Sequence, residues 1–354
     1  MKKVDKNNEI LTLAGTRPEI IKLTKFVRVM GTQINRNHRL LYTGQHYSNN
    51  MKDIFFDELG IQPDYDLGCK TSNVHELTRR ILKFFTEIKP KYVIVYGDTY
   101  STMAGTLAAK KLKIPLIHLE AGIRDLDITI PEERVRIYID SVADFKLAPT
   151  ELAKTFLYYE GVLNNVFVTG NLISDVCKEM VKICDKYKIK DLPDDYLLLT
   201  MHRPENVDNK EGLHLLKKHL STLKQKVVFP IHPRTIKNLS KFGITLPDNV
   251  IPINATGYLE FLYLLKNCNL VLTDSGGVTE EAIILKKPCI TLRHSTARWE
   301  TILLKANVLF PLDRKDPLTE VINRMLDTKI KINPYGENVT KKTVERIRKI
   351  TSSR

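Results

Sequence analysis

The chain is predicted to be an α/β protein of two domains. Three observations support this. Short apolar runs alternate with longer amphipathic stretches along the whole length. The cycle stops at a polar stretch, Asn171 to Asp195, and then restarts. At 354 residues, the chain is long for a single core.

In the first half the strand candidates are Ile10 to Leu13, Arg39 to Tyr42, Tyr92 to Tyr96 and Leu116 to Leu119, with Val166 to Val168 closing it. Thr78 to Ile88 and Ser101 to Lys111 read as helices between them. The segment Asn171 to Asp195, containing Lys186-Tyr-Lys-Ile-Lys-Asp-Leu-Pro, reads as a linker. In the second half, strands are expected at Tyr196 to Thr200, Val227 to Pro230, Val250 to Ile253 and Leu270 to Thr273, with Cys289 to Leu292 last. Gly257 to Lys266 and Val278 to Lys286 are helical, and a basic helix from about Val339 to Ile350 ends the chain. Met1 to Asn8 reads as a short polar lead.

Composition narrows the function. Apolar residues make up 43% and charged residues 27%, an ordinary globular balance. No tract suits a membrane span, so no membrane insertion is expected. The net charge is +14, but the basic residues are spread along amphipathic helices, so no nucleic acid partner is expected. A basic field also favours capture of an anionic substrate. Five scattered cysteines without a CxxC pair suit free thiols in a reducing cytoplasm. Histidines and cysteines lack ligand spacing, so no metal is expected.

The chemistry-bearing residues cluster after strands. The first strand runs into Gly15-Thr16-Arg17-Pro18-Glu19, placing Arg17 at a strand-to-helix junction where an anion is favoured. Leu270-Val-Leu-Thr is followed by Asp274-Ser275-Gly276-Gly277 and then a helix, a turn whose backbone N–H groups can approach a diphosphate. Glu281, one turn in, could accept from ribose hydroxyls. Asp98, Glu120 and the pair Glu132-Glu133 follow strands or a proline, where they could converge in a cleft, raise at least one pKa by crowding, and move protons. Helix capping is the other reading of Glu132 and Glu133. His202-Arg203 and His232-Pro233-Arg234 also follow strands, as anion contacts.

Taken together and in order, these residues resemble the non-hydrolysing UDP-N-acetylglucosamine 2-epimerase family. The motifs are Gly15-Thr-Arg-Pro-Glu, Thr43-Gly44-Gln45-His46, Tyr96-Gly97-Asp98-Thr99, His118-Leu-Glu-Ala-Gly-Ile-Arg124, Pro131-Glu-Glu, Gly170-Asn171, His202-Arg203, His232-Pro-Arg, Asp274-Ser-Gly-Gly, Glu280-Glu281-Ala282 and Arg293. The resemblance implies two Rossmann-like domains of the GT-B type facing a central cleft. The first would be residues 1–170 with a C-terminal helix of about 338–354 packing back on it, the second 171–337. It also implies a cytoplasmic homodimer, with no cofactor, that interconverts UDP-N-acetylglucosamine and UDP-N-acetylmannosamine for polysaccharide biosynthesis. UDP would be eliminated and added back through a 2-acetamidoglucal. Asp98, Glu120 and Glu132 would be the acid/base carboxylates, with His202 near the diphosphate. Arg17, Ser275, Gly276 and Gly277 would hold phosphate and Glu281 the ribose, with Lys22, His232 and Arg298 completing the substrate contacts.

The chain departs from the family at four places. Val135 stands where the family often has asparagine, Thr296-Ala297-Arg298-Trp299-Glu300 replaces Thr-Glu-Arg-Pro-Glu, and Pro204 and Ser48 replace residues tied to activation by a second substrate molecule. Weak or absent activation of that kind is expected. The nearest rival reading is a 2-epimerase of UDP-2,3-diacetamido-2,3-dideoxy-glucuronate. That branch tends to have Gly-Ala-Arg-Pro-Gln where this chain has Gly15-Thr-Arg-Pro-Glu19.

Overall fold

In the computed structural model, residues 9–33, 37–45, 56 and 58–352 are described. The polar lead, His46 and Ser48 lie outside them. The chain divides into two compact units, 1–176 with 335–354, and 177–334.

The first unit is a seven-stranded parallel sheet in the order β3-β2-β1-β4-β5-β6-β7. Its strands are β1 (Ile10–Ala14), β2 (His38–Tyr42), β3 (Tyr65–Asp66), β4 (Tyr92–Tyr96), β5 (Leu116–Leu119), β6 (Phe145–Ala148) and β7 (Val166–Val168). The central strands β1 and β4 are buried along their whole length, which explains their unbroken apolar sequence. Leu11, Leu13, Val93, Val95 and Leu116 pack with Leu77, Ile81 and Phe85 of the helix Val74–Ile88, and with Ala104, Ala108 and Ala109 of the helix Tyr100–Lys111. Small residues bring that second helix close: a Cβ on Gly105 would stand 2.9 Å from Leu13 Cδ1.

The second unit is a six-stranded parallel sheet, β10-β9-β8-β11-β12-β13. It comprises β8 (Leu197–Thr200), β9 (Val227–Pro230), β10 (Val250–Ile253), β11 (Leu270–Thr273), β12 (Cys289–Thr291) and β13 (Asn307–Leu309). In both sheets the strand order reverses once, between β1 and β4 and between β8 and β11. Parallel sheets of this kind bind ligands at the carboxyl ends of the strands beside such a reversal.

Three strands differ from the sequence expectation. β3 has two residues and β13 three, too short for a periodic signal. In β6 a lysine interrupts the apolar run. Lys146 is nonetheless buried, its Nζ donating to the Ala143 carbonyl at 3.2 Å. The expected linker also contains structure, the helix Ile173–Met180 and a 3-10 turn at Cys184–Tyr187. Asn171 and Ser174 are tied to the first unit through the Tyr335 and Gly336 carbonyls, so the division falls inside that helix. The final helix, Val339–Ser352, is part of the first unit and packs on the helix Arg17–Gln33. All five cysteines are free and buried, and no helix among the described residues is long and apolar enough to cross a membrane.

Candidate active site

The β1 turn is built around Glu19. Its Oε2 accepts the Gly15 and Thr16 N–H groups at 2.8 Å and the Thr16 hydroxyl at 2.9 Å. Its Oε1 accepts the Thr99 and Thr102 hydroxyls at 2.8 and 3.0 Å, which joins the β1 and β4 turns. Burial raises the Glu19 pKa against these hydrogen bonds. The helix's own carboxylate thus occupies the Gly15 and Thr16 amides, and Arg17, the first helical residue, is half-buried. Gly15 is sterically required: a Cβ would lie 1.9 Å from Ser101 Oγ and 2.5 Å from Thr43 Oγ1. Those oxygens bond each other at 2.7 Å, and Ser101 also donates to Gln45 Oε1 at 2.8 Å, so they cannot yield freely. Gly15→Ala is therefore expected to destabilise the chain by about 3 kcal/mol or more, read from urea denaturation.

Glu120 directly follows β5 with φ +68°, in the left-handed region that a residue with a Cβ seldom occupies. Its side chain is 9% exposed. Lys22 Nζ donates to Oε2 at 2.8 Å, and the Tyr96 hydroxyl donates to the same oxygen. The Lys22 ammonium also stands 5.5 Å from the Tyr96 ring centroid, and the Tyr96 hydroxyl lies 3.2 Å from Asn171 Oδ1. Lys22, expected as a substrate contact, is thus bound to the carboxylate.

Asp98 follows β4 and accepts Arg136 Nη1 at 2.6 Å. Arg136 also donates from Nε and Nη2 to Glu133 Oε2, at 3.0 and 2.8 Å. The Glu133 carboxylate, in turn, accepts the Asp125 and Leu126 N–H groups at 2.9 Å each. Glu133 is therefore a buried clamp on the loop before the helix Pro131–Val142, while Glu132, in the same first turn, is half-buried. Asp98 and Glu120 each meet a cation, whereas the sequence suggested a crowd of like charges. Arg136 has two sequence signals, its i,i+3 spacing from Glu133 and its place as the closing arginine of the segment Pro131-Glu-Glu-Arg-Val-Arg136.

Beneath both turns lies a buried ionic network. His118 Nε2 donates to the Gly97 carbonyl at 2.9 Å, and Nδ1 lies 2.7 Å from Asp140 Oδ1. Asp140 also accepts the Gly122 N–H at 3.0 Å and pairs with Arg124 Nη2 at 2.8 Å. Burial opposes the Asp140 charge, but His118, Arg124 and the Gly122 amide outweigh it and lower its pKa. Nothing in the sequence pairs residues 118 and 140 except the helical repeat that turns Asp140 inward.

In the second unit the buried Asp274 plays the organising part. It accepts the Arg203 N–H at 2.9 Å, the His202 N–H at 3.1 Å and Asn206 Nδ2 at 3.2 Å. This fixes the loop after β8 against the turn after β11. The His202 ring is held 3.4 Å from Asp274 through Nδ1, with its side chain 45% exposed. Ser275 caps the helix Gly276–Ile284, and its Oγ accepts the Val278 N–H at 3.4 Å. The Arg298 guanidinium lies over Gly276: a Cβ there would stand 3.6 Å from Cζ. Glu280 anchors Arg298 at 2.5 Å, and Glu281 is buried one turn into the helix. His232 begins the helix Pro233–Phe242, with Nδ1 accepting the Arg234 N–H at 3.2 Å. Its ring centroid is 5.9 Å from that of His202, and burial together with the two neighbouring basic groups lowers its pKa. His202, His232, Ser275, Gly276 and Arg298 therefore all follow the carboxyl ends of strands of this sheet, after β8, β9, β11 and β12. Among the described residues no cluster of three or more His, Cys, Asp or Glu has metal-binding geometry.

Two doubly wound units with charged side chains at the carboxyl ends of their strands define a two-domain α/β enzyme of the GT-B type. The UDP-N-acetylglucosamine 2-epimerase family model matches residues 31–350. The UDP-N-acetylglucosamine 2-epimerase of Methanocaldococcus jannaschii is 42% identical over 95% of this chain and 97% of that protein. A crystal structure of the M. jannaschii enzyme in complex with UDP-GlcNAc and UDP superposes with a TM-score of 0.86 at 40% identity, covering 97% of this chain and 99% of that one. A UDP-2,3-diacetamido-2,3-dideoxy-D-glucuronate 2-epimerase of Pseudomonas aeruginosa is 37% identical over 85% of this chain and 88% of its own length. The chain belongs to the UDP-N-acetylglucosamine 2-epimerase family.

Proposed function

We propose that the protein reversibly epimerises UDP-N-acetylglucosamine to UDP-N-acetylmannosamine at C2, without a cofactor. The observation that carries this reading is Glu120, a carboxylate on a left-handed backbone one strand from the reversal in strand order, with Lys22 and Tyr96 on one of its oxygens. Strained, over-determined positions of this sort cluster at reacting centres.

In the proposed reaction a carboxylate takes the C2 proton. The C2–H electron pair becomes the C1=C2 bond of a 2-acetamidoglucal while the C1–O pair leaves with UDP. Proton return to the opposite face and re-addition of UDP complete the inversion. Asp98, Glu120 and Glu132 handle the protons. Charge grows on the departing diphosphate, where cations and N–H donors are most effective. That role goes to Arg17, His202, His232, Arg298 and the Ser275-Gly276-Gly277 turn, and the ribose goes to Glu281. Lys22 serves the substrate through Glu120.

We place the enzyme in the cytoplasm as a homodimer that supplies an N-acetylmannosamine donor to polysaccharide assembly. The free, buried cysteines suit a reducing compartment. Light scattering on the purified protein tests the dimer.

The second reading, the diacetamido-uronate reaction, has the Pseudomonas relative in its favour. Glu19 faces five protein donors, which makes the Glu/Gln difference between the two branches one of scaffold. Proton NMR of the anomeric region, with each nucleotide sugar offered separately, decides between them. New UDP-N-acetylmannosamine signals are expected, and turnover of the diacetamido-uronate alone would replace the first reading with the second.

A further inference from the structure

Beside Glu120 the first unit holds a small chamber of about 10 Å3, whose polar lining residues include Tyr96, Glu120, Thr169, Asn171 and Thr343. Thr343 comes from the final helix and is 1% exposed. Its Oγ1 has no hydrogen-bond partner among the described residues, not even the helix carbonyls to which a helical threonine usually turns. Buried hydroxyls seldom go without a partner. A chamber of this size takes one water, and a water needs two to four polar partners of the kind found here.

We propose that this chamber holds one ordered water, bonded to the Thr343 hydroxyl and shared with Tyr96, Asn171 and Glu120. Thr343 is thereby a positioning residue for Glu120. The inference rests on the acid/base reading of Glu120. A carboxylate that gains and loses a proton in each turnover needs neighbours that suit both states. Lys22 can only donate, and Asn171 Oδ1 can only accept. Water and the Tyr96 hydroxyl do both: each donates to the carboxylate and, by rotating, accepts from the carboxylic acid, with no movement of heavy atoms. The water thus extends the support of the strained Glu120 to the C-terminal helix, an element remote in sequence from every motif of the site.

The test is Thr343→Val, which replaces the hydroxyl by a methyl of similar size, beside Thr343→Ser, which retains it. For Thr343→Val, kcat is expected to fall about tenfold, the loss of one hydrogen bond to a charged group, with KM for UDP-N-acetylglucosamine within about twofold. The limb of the kcat–pH profile that reports the carboxylate should shift, and Thr343→Ser should restore both rate and profile. A high-resolution crystal structure of the wild type should show a water peak within hydrogen-bond distance of Thr343 Oγ1 and Glu120. No such peak, or a wild-type rate and profile in Thr343→Val, overturns the proposal. Should Thr343→Val fail to fold, the water peak decides. Full activity in Glu120→Gln would instead overturn the acid/base reading, and the peak would still test the water site.

Discussion

Glu120→Gln is expected to lower the rate of C2 proton exchange by about 10²- to 10⁴-fold, the usual contribution of a general acid or base. The amide has the size of the carboxyl group and can still accept from Lys22 or the Tyr96 hydroxyl through its oxygen, so geometry is largely preserved. It cannot accept or deliver a proton at neutral pH. Because Lys22 loses its counter-charge at a site where both side chains are about nine-tenths buried, a modest loss of stability accompanies the kinetic one. Apart from Arg17, the residues assigned to the UDP moiety lie in the other unit, and UDP affinity measured by calorimetry should stay within about threefold of wild type. A rate within tenfold of wild type would remove Glu120 from the proton-transfer role.

The second large effect is on stability. Asp140→Asn removes the carboxylate between His118 and Arg124, all three of them buried. Arg124 keeps its bidentate pair with Glu160, at 2.6 Å through both Nε and Nη2, but loses its fully buried partner, at a cost of about 3 kcal/mol in urea denaturation at pH 7. The loss depends on pH. Asp140 has a lowered pKa in the fold, so its contribution is fully present above the unfolded carboxylate value of about 3.9. It fades as pH falls below that value and through the folded pKa. The wild type and Asp140→Asn should therefore converge in stability on acidification, and a constant gap down to pH 3 would assign the effect to packing alone. Through Gly97 and Gly122 the same network holds the turns that carry Asp98 and Glu120, so a folded Asp140→Asn protein should also lose kcat.

Much of this architecture was legible from periodicity. The apolar runs at Tyr92–Tyr96 and Leu270–Thr273 are central strands, and the acidic or glycine residues after them sit at the carboxyl ends of their sheets. What escaped was set by tertiary structure. Phe145–Ala148 is a strand despite its lysine, because Lys146 finds a carbonyl in the interior. Glu132 and Glu133 are equivalent in sequence. Only the rotation of their helix separates a half-buried side chain from one locked by two loop amides and Arg136. Lys22 and Glu120 are 98 residues apart, and Thr343 is farther still; no local pattern encodes their meeting.

The most direct test of the account is deuterium incorporation at C2. UDP-N-acetylglucosamine is incubated in D2O with wild-type protein and with Glu120→Gln, without added metal or nicotinamide, and followed by proton NMR. C2-deuterated UDP-N-acetylmannosamine is expected from the wild type and almost none from the variant. Epimerisation with retention of the C2 proton, or equal exchange by both proteins, would contradict it.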